Sequence, residues 1–258
     1  MTSSEESPSF RLAYVPGATP AKWVRIWNER LPDVPLTLVQ VSAAEASDVM
    51  RGGEADAGIV RLPVDRTVFS AIPLYTETTV VVVPKDHVVT AADEVSVDDL
   101  ADEVVFHPLD DVLGWEQPPG EPAFERPATT ADAIELVAAG VGLLLVPQSL
   151  ARLHHRRDLT YRPVVDAPQS SVALSWPEDA TTDLVEDFIG IVRGRTVNST
   201  RGRTAPQAQA KRKQPDAAAG RQKPAGKKPA AKKSTGRNPR SGSGGPKGTG
   251  RGKPRRRS

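Results

Sequence analysis

The chain has 258 residues and a formal net charge of only +2, but that total is a cancellation. Residues 201–258 carry 19 of the 34 Lys and Arg against one acid, Asp216, and the remainder holds 31 of the 32 acids, so two physically different objects share one chain. With no cysteine, disulfides, thiolate metal sites and cysteine nucleophiles are excluded.

The opening MTSSEESPS is polar and acidic, unlike a secretory signal, and residues 1–9 are expected to be disordered. FRLAYV (10–15) reads as a strand closed by a Pro16-Gly17 turn. Thr19 is placed to cap a helix, Pro20 suits its first position, and Trp23, Trp27 and Leu31 share one apolar face. Pro32 and Pro35 bracket a turn into the strand LTLVQV. A short helix, AAEASDVMRGG, ends at a glycine pair, and AGIVRL is a third strand. TETTVVVVP reads as one longer strand, VSVDDLADE as a capped helix and VVFHPL as a strand before the irregular loop DDVLGWEQPPGEP. Thr129 or Thr130 caps the helix ADAIELVAAG, and VGLLLVP is a buried strand. The helix QSLARLHHRR, the strands LTYRPV and SSVALSW, and the helix TTDLVEDFIGIVRG complete the pattern.

Strands alternating with helices predict an α/β fold with parallel sheets. The alternation divides into two lobes joined by two hinge crossovers, with lobe I at about 10–83 and 165–195 and lobe II at about 84–164. The longest apolar runs, TTVVVVP and GVGLLLVP, are too short to span a bilayer, so a cytoplasmic protein is expected, with association to the nucleoid as one variant.

Six stretches in order resemble the effector-binding domain of LysR-type transcriptional regulators, over nearly all of residues 10–195. They are RLAYVPGAT; WNERLPDVPLTL, with Trp27 and Leu31 standing for the family's aromatics; MRGGEADAGIV; PLYTETTVVVVPKDHVV; VSVDDLADE; and ELVAAGVGLLLVP. The resemblance implies a type 2 periplasmic-binding-protein-like fold, a small-molecule effector in the interlobe cleft, a role in transcription regulation and a homodimer. The Trp23 and Trp27 stripe reads as core, although the resemblance implies that this helix supplies a dimer surface. Regulators of this family carry a winged helix-turn-helix ahead of the domain. With the domain starting near residue 10, sequence-specific operator binding is not expected to carry over, and pairing with a full-length regulator is the alternative to a homodimer.

In open parallel sheets, ligands collect at the carboxyl ends of the strands beside helix N-termini. Gly17, Ala18 and Thr19 follow the first strand, Arg61 and Leu62 the third, and Thr129 and Thr130 open the second-lobe helix; the resemblance points to the same stretches. Capping accounts for the threonines, with ligand contact as an added role, and Gly17 is a turn glycine. Arg61 either grips a carboxylate of an anionic effector or makes a surface salt bridge to Asp65 or Asp56. Glu54 and Asp56 read as turn and strand-opening residues, and Asp132 as a partner of its helix dipole. His154, His155, Arg156 and Arg157 read as a solvated basic patch, since adjacent helical residues do not share a face for a metal. His87 and His107 are isolated. No nucleophile–base spacing, phosphate loop or dinucleotide fingerprint occurs, so no enzymatic activity, cofactor or metal is expected.

Residues 196–258 contain no aromatic, and their Lys, Arg, Pro, Ala, Gly and Ser composition predicts disorder. Lys211, Arg212, Lys213, Lys227, Lys228, Lys232, Lys233, Arg251, Lys253, Arg255, Arg256 and Arg257 are candidate phosphate contacts, giving non-specific, salt-sensitive nucleic-acid binding. GKKPAAKK is similar to linker-histone tails, and Arg251-Gly252-Lys253-Pro254 to an AT-hook core. Docking of the tail on the acidic body of its own dimer is the competing reading, and a nucleoid- or RNA-associated protein with a body that only dimerises is the alternative function.

Overall fold

β1 (Phe10–Tyr14), β2 (Leu36–Gln40) and β3 (Ala57–Arg61) pair in parallel, with α1 (Ala21–Arg30) and α2 (Ala46–Arg51) as their crossovers. The computed structural model describes residues 8–195. The expectations for residues 1–7 and for the basic tail from 196 onward, including every candidate phosphate contact from Lys211 to Arg257, lie outside the described residues. β4 (Phe69–Glu77) runs into β5 (Thr79–Pro84) across the single residue Thr78. β6 (Val104–Phe106), β7 (Glu121–Pro122), α3 (Thr130–Ala138), β8 (Leu143–Pro147), α4 (Gln148–Leu153) and β9 (Leu159–Pro163) follow. β10 (Ser170–Pro177) and α5 (Asp183–Val192) close the fold.

Two five-stranded sheets result, in the orders β2-β1-β3-β10-β4 and β7-β6-β8-β5-β9. The chain crosses between them at Thr78 and again between β9 and β10. The lobe boundary expected at residues 83 and 84 therefore moves back to Thr78, because the VVVV run belongs wholly to the second sheet. TETTVVVVP is accordingly two strand segments, not one. The two crossovers are tied together, with the Thr79 hydroxyl donating to Pro168 O at 2.5 Å and Val164 N–H to Thr79 O at 3.0 Å.

β4 escapes sequence recognition because Pro73 interrupts its apolar pattern. It lies at the edge of its sheet, where a residue lacking an N–H is tolerated. Pro73 faces Ala173 and Tyr75 faces Val172, so Leu74 is passed over in a bulge.

Lobe I is centred on a ring cluster. Phe10 stacks on Trp27 at 4.7 Å and on Phe188 at 5.3 Å, and Trp27 donates its indole N–H to Val34 O at 2.8 Å. Trp27 is wholly buried, while Trp23 packs at the margin of this core. In lobe II the sheet is covered on both faces, which explains its uninterrupted apolar run. Val80 and Val82 join Phe106, Ile134, Val137 and Leu144 on one side. Val81 and Val83 join Leu100, Val105, Leu143 and Leu145 on the other.

The helix expected at VSVDDLADE is a single 3₁₀ turn, Asp98–Leu100. Ser96 and Asp99 exchange hydrogen bonds at its start, as a cap should, but Leu100 is already in the core and the chain must extend into β6 by Val104. Among the described residues no helix is long and apolar enough to cross a membrane.

Candidate functional site

The carboxyl ends of β1 and β3 lie side by side because those strands are parallel neighbours. They bring the Pro16-Gly17 turn next to Arg61 and Leu62. In lobe II, β6 and β8 are likewise parallel neighbours, so the loop after β6, the start of α3 and the start of α4 share one edge. These two edges meet where Arg61 reaches Ser149 on α4, its Nη2 donating to Ser149 Oγ at 3.3 Å. Gly17 has φ +85° and lies so close that an added Cβ would land on Ser149 Oγ. Only glycine satisfies both the left-handed turn and this approach.

Arg61 is buried between its partners, not open to a ligand. Its Nη1 donates to Glu77 Oε2 at 2.6 Å and to Ser170 Oγ at 2.8 Å, while Nη2 donates to Pro16 O at 3.2 Å as well as to Ser149. Glu77 ends β4 and Ser170 begins β10, so one guanidinium holds residues at both crossovers, the β1 turn and the opposite lobe. The expected partners are engaged elsewhere. Asp65 accepts from the Thr67 N–H and hydroxyl, and Asp56 accepts the Arg11 N–H at 2.6 Å, as a strand-opening residue should. Leu62, half-buried, gives its N–H to Ser171 O at 2.8 Å, and Ala18 is buried beneath the turn.

Thr19 does not cap α1. Val24 N–H bonds Pro20 O at 3.1 Å, so the first turn already begins on Pro20, whose backbone is helical, and Thr19 stays exposed. The two second-lobe threonines divide their roles. Thr129 caps α3 in a reciprocal box with Asp132: its hydroxyl accepts the Asp132 N–H at 3.1 Å, and Asp132 Oδ2 accepts the Thr129 N–H at 3.1 Å. Thr130 is buried and gives both its N–H (2.7 Å) and its hydroxyl (2.9 Å) to Asp110 Oδ1. Asp110 is held there by a folded loop, since Arg126 donates to His107 O at 2.7 Å and to Pro108 O at 2.8 Å.

Sequence reasoning missed Glu77, Asp110, Ser149 and Ser170. Asp110 had a visible signal, an acidic pair in the loop preceding a helix start. The others meet Arg61 only through tertiary pairing of distant strands. The basic patch at 154–157 is also less open than expected. Arg156 forks onto Asp158 at 3.0 Å on both arms and onto Glu135 at 2.6–2.7 Å. The hydrogen bonds from Arg156 hold the Asp158 carboxyl below its usual range. No group of three or more His, Asp or Glu suited to a metal ion occurs among the described residues.

Comparisons with known proteins agree on one family and fold. A family model described as the LysR substrate binding domain matches residues 3–196. The Hca operon transcriptional activator HcaR of Escherichia coli is 26% identical over 211 residues, 76% of this chain and 71% of that protein. The HTH-type transcriptional regulator AlsR of Bacillus subtilis is 26% identical over 179 residues, 65% of this chain and 59% of that protein. Among solved structures, the BenM effector-binding domain with its effector benzoate aligns with a TM-score of 0.61 at 18% identity, covering 72% of this chain and 91% of that one. The oxidized form of OxyR gives 0.59 at 21% identity, covering 72% and 93%. At such identities the likeness to solved structures is one of fold. The family match spans most of the chain and both lobes, and the chain belongs to the LysR substrate-binding domain family.

Proposed function

We propose that this chain is a ligand-sensing domain acting in transcription regulation. A small metabolite enters the interlobe cleft and shifts the balance between open and closed lobes, and with it the geometry of a homodimer. The observation that carries this reading is the meeting of two strand-end edges at Gly17, Arg61 and Ser149, with both crossovers tied to the same arginine. Gly17, Thr19, Leu62 and Thr129 are the residues a ligand would meet from the two sides, while buried Ala18 and Thr130 would back them from beneath. The dimer would use the outer face of α1 and the edge strand β2, where Ala21, Val24, Arg25, Asn28, Glu29 and Leu38 line a groove. The names of HcaR, a transcriptional activator, and AlsR, a transcriptional regulator, support a role in transcription regulation, and a cytoplasmic site of action would go with that role.

The basic residues beyond Arg201 would add sequence-independent nucleic-acid affinity, supported by their charge alone. A metabolite screen by thermal shift tests the sensing role, because a ligand bound only by the folded state must raise Tm. If no compound does, the result counts against sensing and favours the alternative of a body that only dimerises. Deleting residues 201–258 tests the tail: the expected result is loss of DNA binding whose logarithm falls linearly with log salt. Undiminished binding by the truncated chain would refute it.

A further inference from the structure

Two positions in the fold are suited to an anion, and each already holds a carboxylate from the chain itself. The Arg61 guanidinium, with its side chain only 5% exposed, is matched by Glu77, itself 10% exposed. The N-terminal turn of α3 is matched by Asp110, which accepts the N–H and hydroxyl of buried Thr130. Asp132 takes the Thr129 N–H on the same turn. Beside Asp110, Asp111 lies 3.5 Å from His107. The Arg61 cation is thus matched by Glu77 in one lobe, and the start of α3 by Asp110 and Asp132 in the other.

We infer that Glu77 and Asp110 are built-in counter-anions, so that the cleft turns away small carboxylates and takes an uncharged, hydrogen-bonding ligand. The inference rests on the ligand-sensing reading above. A carboxylate approaching Arg61 finds all four terminal guanidinium N–H bonds directed at Glu77, Ser170, Pro16 and Ser149. To win two of them it must displace neutral acceptors such as Pro16 O and Ser149 Oγ, and it then lies beside the Glu77 carboxylate with a single buried guanidinium to share between two negative charges. At α3 it meets Asp110 and Asp132 in place of free amide donors. An amide or a hydroxyl group carries no such penalty. It can accept from or donate to polar atoms at the rim while both internal pairs stay intact.

The test uses the full chain and a panel of carboxylic acids, each paired with its primary amide, so that members of a pair differ mainly in charge. Thermal shift is measured for the wild type, Glu77→Gln and Asp110→Asn; asparagine keeps an acceptor oxygen for Thr130, so this second variant guards against misfolding of the first. Circular dichroism verifies the fold of each. The wild type is expected to respond to amides and not to acids, and either variant to bind acids at least about tenfold more tightly than the wild type does. An acid that raises the wild-type Tm and loses its effect in Arg61→Lys overturns the inference while upholding ligand sensing. Failure of both variants to gain any acid also overturns it. Failure of the wild type with every compound, amides and wider metabolites included, counts against the sensing role instead.

Discussion

Arg61 and Glu77 meet at 2.6 Å with side chains only 5% and 10% exposed, and they join the end of β3 to the last residue before the first crossover. Removing one partner strands the other charge away from water. Glu77→Ala is expected to lose about 3–5 kcal/mol of unfolding free energy. The double variant Arg61→Met with Glu77→Leu removes both charges and is expected to recover most of that loss. Urea denaturation of the three proteins measures it. A Glu77→Ala cost no larger than that of an exposed pair, about 1 kcal/mol or less, would show that water reaches this site.

Gly17 carries two separable constraints, its φ of +85° and the missing Cβ that lets Ser149 approach. Gly17→Ala is expected to destabilise by about 1–2 kcal/mol from backbone strain, with a further share from collision with Ser149. In a Ser149→Ala background the collision eases and the strain stays, so the two substitutions should be less than additive. Small-angle scattering on the same proteins should show the lobes wedged apart in Gly17→Ala alone. Strict additivity would mean that the lobes do not touch there in solution.

The threonines before α1 and α3 look alike in sequence and differ in structure. Thr129→Ala removes a reciprocal cap and is expected to cost about 1 kcal/mol. Thr19→Ala removes an exposed hydroxyl with no capping hydrogen bond and should fall within about 0.5 kcal/mol of wild type. Equal costs at the two positions would place a cap on α1 that the fold does not form.

What sequence made legible follows from how local each feature is. The α1 stripe, the buried β8 run and the Thr129 cap depend on residues within one or two turns, and each is seen. Trp27 is core because its neighbours Phe10 and Phe188 lie on elements that any α/β reading brings together. β4 was hidden by Pro73, since tolerance of a proline depends on the strand lying at an edge, a property of the whole sheet. The reach of Arg61 to Ser170, 109 positions away, has no local signature at all. Its residue type marked it as important, but the two alternatives weighed for it, ligand and surface pair, both assumed exposure that the crossing of β4 and β10 removes.

Acid sensitivity offers a last check, because three exposed carboxylates hold depressed pKa values for local reasons. The Thr67 hydroxyl and N–H lower Asp65, the Ser96 N–H and hydroxyl lower Asp99, and Arg156 lowers Asp158. A carboxyl whose folded pKa lies below its unfolded value contributes stability that is complete above the unfolded value. That contribution disappears as pH falls through the folded one. The urea midpoint of the wild type should therefore drop as pH is lowered from about 5 towards about 2. In the triple variant Asp65→Asn, Asp99→Asn, Asp158→Asn these groups no longer titrate, so the midpoint should start lower at neutral pH and fall less steeply. The two proteins should converge at the acid end, where the wild-type carboxyls have lost their charge. Parallel curves across the whole range would show that these hydrogen bonds persist equally in the unfolded chain and contribute nothing to folding.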